Sequence, residues 1–190
     1  LSDVAACLLQ FRSVEYAAWT TIMNGVRARF WNAGHMLGSS SVEIEVASEQ
    51  GEPPLRILFS GDIGPGHKLL QADPECPRDI DFLICEATYG DRDRPDVTRD
   101  ERRRLLGQEV MHAAKVNGPL IIPSFAVERT QELLVDLFLL AQNGDVPANL
   151  SIFVDSPLAT RASAVFGKHA GEIHDGDILK RALASKNVRF

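Results

Sequence analysis

His35 sits in Asn32-Ala33-Gly34-His35-Met36-Leu37-Gly38-Ser39-Ser40, a run of small residues between two segments that alternate apolar and polar. A histidine next to glycine has an unobstructed ring, as a metal ligand or an acid/base group requires. The competing reading is a loop histidine bonded to a neighbouring carbonyl. Asp62 sits in Phe59-Ser60-Gly61-Asp62-Ile63-Gly64, directly after an apolar run. A carboxylate at the end of a buried strand lies where ligands bind in layered α/β folds, and its two oxygens can bridge two cations. An aspartate in a type I or II turn would look the same. Glu86, in Ile84-Cys85-Glu86-Ala87-Thr88-Tyr89-Gly90, ends a third apolar run. The three residues form a set rich in oxygen and imidazole and free of thiols. Such a set suits zinc or manganese at a hydrolytic centre. Cys85 is expected to point into a sheet, away from Glu86, and Cys76 to lie in a turn.

The elements that must position these groups are short strands. Residues 26–30 and 42–46 alternate apolar and polar, as half-buried strands do. Residues 56–60 and 81–85 are more apolar and read as central strands. Ahead of them, Val4, Cys7, Leu8 and Phe11 fall at helical spacing behind Ser2 as a cap. The rhythm then changes. Thr98 and Glu101 form a capping box for a helix over 99–116, stopped by Asn117, a left-handed Gly118 and Pro119. Residues 120–122 read as a strand, 131–142 as an apolar helix ended at Asn143-Gly144, 152–154 as a buried strand and 158–166 as a helix. Helix and strand in alternation imply parallel strands with crossover helices. The change of domain is expected in the charged stretch 91–96.

Three features of the second half admit two readings each. Ser124, followed by a helix, could seat a phosphate on its hydroxyl and the helix amides, with Arg129 adding charge. The plainer alternative is an N-cap with Glu128 and Arg129 on the solvent face. Ser156 should cap a helix that opens with Pro157, with or without touching substrate. The run Arg102-Arg103-Arg104 reads as a solvated helix surface rather than an RNA contact, because three consecutive residues cannot share one helical face.

Composition bounds these readings. The chain has 190 residues, 45% hydrophobic and 24% charged, which fits a folded globular protein. Net charge is -6, from 20 basic and 26 acidic residues, with the whole excess in residues 1–95. That argues against a basic protein that coats duplexes. No apolar run approaches the ~20 residues of a membrane helix. Cys7, Cys76 and Cys85 form no disulfide framework, which suggests a reducing cytoplasm. Leu1-Ser2-Asp3 carries no initiator Met and no signal sequence, which suggests numbering that starts inside a longer protein.

The motifs Asn-Ala-Gly-His35-Met-Leu-Gly-Ser, Phe-Ser-Gly-Asp62-Ile-Gly and Glu86-Ala-Thr-Tyr-Gly resemble those of the metallo-β-lactamase-fold nucleases. Pro123-Ser-Phe-Ala-Val-Glu-Arg129-Thr-Gln-Glu-Leu-Leu134 and Val154-Asp-Ser156-Pro-Leu-Ala159 resemble the β-CASP branch of that family. That branch contains ribonuclease J-like enzymes and the endonuclease of the mRNA 3′-end cleavage machinery. The five motifs span residues 32–166 in family order.

The resemblance implies an α/β fold: part of a metallo-β-lactamase αββα sandwich in residues 1–94, then part of a parallel-sheet β-CASP domain in residues 95–190. It implies hydrolysis of phosphodiester bonds in RNA, single-stranded RNA being the expected partner, with two zinc ions, or manganese in their place. His35 then supplies an imidazole to the first metal and Asp62 bridges both. Glu86 orients a later general-acid histidine. A homodimer or an RNA-processing complex, in the cytoplasm and away from membranes, is the expected setting. The family's His-x-His-x-Asp-His cluster is absent upstream of His35, and His112, His169 and His174 lack the surroundings of its later histidine motifs. An incomplete segment, inactive by itself and with an open sheet edge beside residues 26–46, is therefore expected. A non-catalytic partner subunit, or a hydrolase of another ester, is the alternative.

Overall fold

A computed structural model describes residues 2–48, 51–93 and 97–190. The first half is a five-stranded mixed sheet in the order β1-β2-β3-β4-β5. Its strands are β1 (Thr20–Met23), β2 (Val26–Asn32), β3 (Ser40–Val46), β4 (Leu55–Phe59) and β5 (Phe82–Ile84). The first four run antiparallel and β5 joins β4 in parallel. The strand β1 had no clear sequence signal. It covers the edge of β2 that was expected to be open, so the free edges are those of β1 and β5. The strand β5 is an exposed edge rather than a central strand. Cys85, directly after it, is exposed, as are Cys7 and Cys76. An N-terminal helix, α1 (Ser2–Leu8), forms as its spacing predicts, yet Val4 and Leu8 are exposed.

The register sorts the side chains of this sheet. Val26 faces Val46, Ala28 faces Ile44, and Phe30 faces Val42 on one side. On the other side Arg27 faces Glu45 and Arg29 faces Glu43. Glu43 is 0% exposed. It accepts hydrogen bonds from Arg29 Nε at 2.6 Å, Trp31 Nε1 at 2.7 Å and Arg56 Nε at 2.8 Å. The Arg29 guanidinium stacks over Trp19 and Trp31. A buried carboxylate is tolerable only when its lone pairs are used in this way.

The second half is helical: α2 (Arg99–Lys115), α3 (Arg129–Asn143), α4 (Pro157–Lys168) and α5 (Gly176–Leu183), with a 3-10 turn at Ala170–Glu172. The two-residue strands β6 (Ile152–Phe153) and β7 (Val188–Arg189) pair in parallel across α4 and α5, as a crossover requires. Thr98 caps α2 through the Glu101 N–H, but the Glu101 carboxylate turns to Arg104 instead of closing the box. The left-handed residue that ends α2 is Asn117, at φ 51°, and not Gly118. Gly118 N–H then returns to Ala113 O, so asparagine takes the position usually held by glycine.

Residues 120–122 form no strand, and Ile121 is 83% exposed. A strand needs a ladder partner, and no described strand offers one there. Phe153, expected inside, is 68% exposed. Arg104 is exposed as expected, but Arg102 and Arg103 are half-buried: both reach the buried Asp136 of α3, at 3.0 and 2.9 Å. The core of the second half contains Val135, Phe166 and Leu179, together with Leu69 and Leu70 from the first half. The expected domain change, at 91–96, lies partly outside the described residues.

Hydrogen bonds to Glu43 offset the burial that would raise its pKa and hold it below the ordinary carboxylate range. A depressed carboxylate contributes stability above its unfolded pKa, about 4.3, and loses it as the pH falls through the folded value. Glu43→Gln is therefore expected to cost about 3 kcal/mol at pH 7, because two arginines lose their counter-charge. It should also flatten the loss of stability below pH ~4. Denaturant unfolding at pH 7 and pH 3 measures both.

Candidate metal centre

Strand direction brings three turns to one end of the sheet. The strand β2 ends and β3 begins there, and Val42 of β3 pairs with Phe59 at the end of β4. Phe59 pairs in parallel with Ile84 at the end of β5. The turns carrying His35, Asp62 and Glu86 are therefore neighbours, as three strand ends in one sheet should be.

The His35 turn is tied by its own side chains. Asn32 Oδ1 accepts from Gly34 N–H at 2.8 Å, and Ser39 Oγ accepts from the N–H groups of His35 and Met36. The Asp62 turn packs directly on it. Gly64 N–H donates to Ala33 O at 2.8 Å, and a Cβ on Gly64 would lie 1.8 Å from Gly34 O. Gly61 has φ +58°, and a Cβ there would meet Ser40 O at 2.8 Å. No side chain larger than hydrogen fits at either place.

Glu86 braces the same turn. Its Oε1 accepts from Ile63 N–H at 2.8 Å, and its Oε2 from Thr88 Oγ1 at 2.6 Å and Thr88 N–H at 3.2 Å. The Thr88 hydroxyl, the two N–H groups and, more weakly, nearby His35 hold its carboxyl below the ordinary range, so it is ionised at neutral pH. Among the described residues the His35 imidazole and the Asp62 carboxylate take part in no hydrogen bond, which leaves their donor atoms for a ligand. Their chemistry, one imidazole and one carboxylate, fits a hydrolytic metal. Their number does not complete a site. No group of three or more His, Cys, Asp or Glu among the described residues could hold a metal ion, and zinc sites use three or four protein ligands.

The sites expected in the second half divide. Ser156 Oγ caps α4 by accepting from Ala159 N–H at 3.2 Å, and Pro157 opens the helix, as expected. Ser124 does not cap α3. That helix begins at Arg129, and the Ser124 hydroxyl bonds that of Thr130 at 2.8 Å. The N–H groups of Arg129 and Thr130 bond Val127 O and Phe125 O, and the Arg129 guanidinium turns to Glu132 at 3.2 Å. Both side chains are thus engaged within the protein, Ser124 with Thr130 and Arg129 with Glu132. Glu128, expected in solvent, is 5% exposed.

One residue of this region had no sequence signal. Lys68 is buried, and its ammonium donates to His35 O. Lysine before an apolar pair, Leu69-Leu70, reads as an ordinary surface residue.

No family model matches the chain. Over 164 residues it is 34% identical to ribonuclease TTHA0252 of Thermus thermophilus, covering 86% of this chain and 35% of that protein. It is 33% identical to an RNase J-like protein of Methanocaldococcus jannaschii, over 86% of this chain and 37% of the relative. It is 29% identical to the endoribonuclease YSH1 of Kluyveromyces lactis, over 99% of this chain and 24% of the relative. The chain spans about a third or less of the length of these curated relatives.

The contact between the two turns is testable by itself. Gly64→Ala is expected to force them apart and to destabilise the sheet half by about 1–3 kcal/mol, the usual range for overpacking. Thermal unfolding gives the magnitude. Faster amide exchange at residue 64, whose N–H bonds Ala33 O, would locate the damage.

Proposed function

Since the chain belongs to the β-CASP branch of the metallo-β-lactamase-fold nucleases, we propose that it is part of a metal-dependent ribonuclease that hydrolyses phosphodiester bonds in RNA. One observation carries the reading. Three turns with ligand-type side chains meet at one sheet end, and His35 and Asp62 there have unengaged donor atoms.

In this reading the His35 imidazole and the Asp62 carboxylate would help to hold the metal pair, zinc being the first choice and manganese the second. The metal pair, when bound, supplies a water nucleophile at neutral pH and offsets charge on the scissile phosphate. Glu86 holds the backbone next to Asp62 and so fixes where that carboxylate points. Its remaining lone pairs can orient an imidazolium from another segment, which gives the leaving oxygen its proton. Single-stranded RNA is the proposed substrate, an RNA-processing complex or a homodimer the proposed assembly, and the cytoplasm the proposed place. Residues 1–94 and 95–190 are the proposed domains. No described helix is long and apolar enough to cross a membrane.

The count of ligands favours a second reading, a non-catalytic subunit of an RNA-processing complex, because no three-ligand group is present among the described residues. In the ribonuclease reading the remaining ligands come from outside residues 1–190. RNA cleavage by the complete, metal-loaded wild-type protein separates the two, and one substitution then tests the ligand. In the metal-loaded protein Asp62→Asn should keep the fold and lower RNA cleavage by more than ~100-fold, beyond what loss of an outer-shell contact costs. Cleavage by Asp62→Asn at the wild-type rate would remove Asp62 from the ligand set.

The ligand count also predicts the behaviour of residues 1–190 alone. Isothermal titration with zinc should show no sub-micromolar site, and RNA should stay intact. A tight site with RNase activity would mean that these residues contain a complete ligand set.

A further inference from the structure

Lys68 and Glu128 are the ionic link between the two halves. Lys68 is 8% exposed and its Nζ lies 3.4 Å from Glu128 Oε1. The same ammonium donates to the carbonyl oxygen of His35. Gln71 Nε2 donates to Glu128 Oε2 at 3.0 Å, while Oε1 has no hydrogen bond. The stretch between them is tied to the helical half on both sides. Leu69 N–H donates to Glu132 Oε1 at 3.2 Å, and Leu70 O accepts from His174 N–H at 3.0 Å.

Two features set this link apart from ordinary ionic packing. A buried ammonium is costly unless its hydrogens are used, and here it reaches past its counter-ion to a backbone carbonyl in the turn of the candidate ligand. Glu128, moreover, precedes α3 at φ 69° and ψ −63°. Side chains with a Cβ occupy that region rarely and at a cost, and such outliers persist where the surroundings over-determine them. Glycine would relieve the backbone and lose the carboxylate. The carboxylate is what Lys68 and Gln71 use.

We propose that Lys68 is a positioning residue for His35: anchored by Glu128, it fixes the His35 carbonyl and with it the direction of the imidazole, so that the helical half sets the geometry of the candidate metal turn. The proposal rests on His35 as a metal ligand. It concerns no group that touches substrate.

The experiment has two arms. In the first, 15N NMR of residues 1–190 follows the amide nitrogen of Met36, which shares its peptide unit with the His35 carbonyl. Lys68→Met and Glu128→Gln should both shift it, and Lys68→Arg, which keeps a donor and the charge, should return it towards wild type. In the second arm, the complete metal-loaded enzyme of the ribonuclease reading, with the ligands from outside residues 1–190, cleaves RNA. Lys68→Met should lower kcat about tenfold, at the low end for outer-shell partners of a metal ligand, with KM nearly unchanged. Glu128→Gln should act in the same direction, the double variant should be no worse than Lys68→Met alone, and Lys68→Arg should recover most of the rate. An unmoved Met36 resonance would overturn the proposal. So would a lowered unfolding midpoint with kcat unchanged, which marks a purely structural ion pair. If the complete wild-type enzyme cleaves no RNA, the ribonuclease reading fails, and the NMR arm still decides whether Lys68 governs the His35 turn.

Discussion

The candidate site depends on two backbone turns that touch with no side chain between them. Gly64 lies against Gly34 so closely that a methyl group would overlap the Gly34 carbonyl. The Gly64 N–H to Ala33 O bond closes the same contact. Everything else at that end of the sheet follows. Because the turns cannot part, the Asp62 turn is carried beside the His35 turn. Because Glu86 bonds Ile63 N–H, the third turn is locked to the second. The antiparallel strands give direction, but only the glycine contact gives depth. With a larger residue at position 64 the same ladder would hold the three side chains farther apart.

One face of α3 carries the charged part of the contact between the second half and this frame. Glu128 immediately precedes the helix, and Glu132 and Asp136 follow at four-residue spacing, so the three carboxylates form one stripe, all buried. Cations come from two directions. Lys68 meets Glu128, whereas Arg102 and Arg103 of α2 meet Asp136. The stripe therefore holds both the chain that leaves the Asp62 turn and the helix that opens the second half. Gly107 completes the fit of α2 on α3, since a Cβ there would meet Leu140 Cδ2 at 3.0 Å.

What was legible in the sequence was local. Period-two alternation marked β2 and β3, and Ser156-Pro157 marked the start of α4. Three strand-end motifs placed His35, Asp62 and Glu86 at one sheet edge. What was not legible depended on partners distant in the chain. The apolar residues 120–122 look like a strand but have no ladder to join. Thr20–Met23 looks like little, yet pairs with β2 because Val26 to Ala28 lies opposite. Arg102 and Arg103 looked as solvated as Arg104 because helix periodicity counts faces, and no count along one helix shows a buried aspartate on the next. Ser124 looked like a cap, but Thr130 takes its hydroxyl and the helix starts five residues later.

Two buried glutamates show how differently the fold treats charge. Glu43 receives five directed donors from Arg29, Trp31 and Arg56, and its ionised form is favoured. Such a satisfied network fixes one arrangement and resists every other. Glu128 has one hydrogen-bonded oxygen and one that faces only an ammonium at 3.4 Å, and burial pushes its carboxyl up. A buried group left partly unsatisfied is costly, and it persists where the surrounding structure over-determines it. The first network lies on the face of the sheet and specifies the ladder. The second lies where the helices meet the His35 turn. The first network thus supports the strands, and the second makes the ionic contact that leads, among the described residues, from Glu128 ahead of α3 to the turn of a candidate ligand.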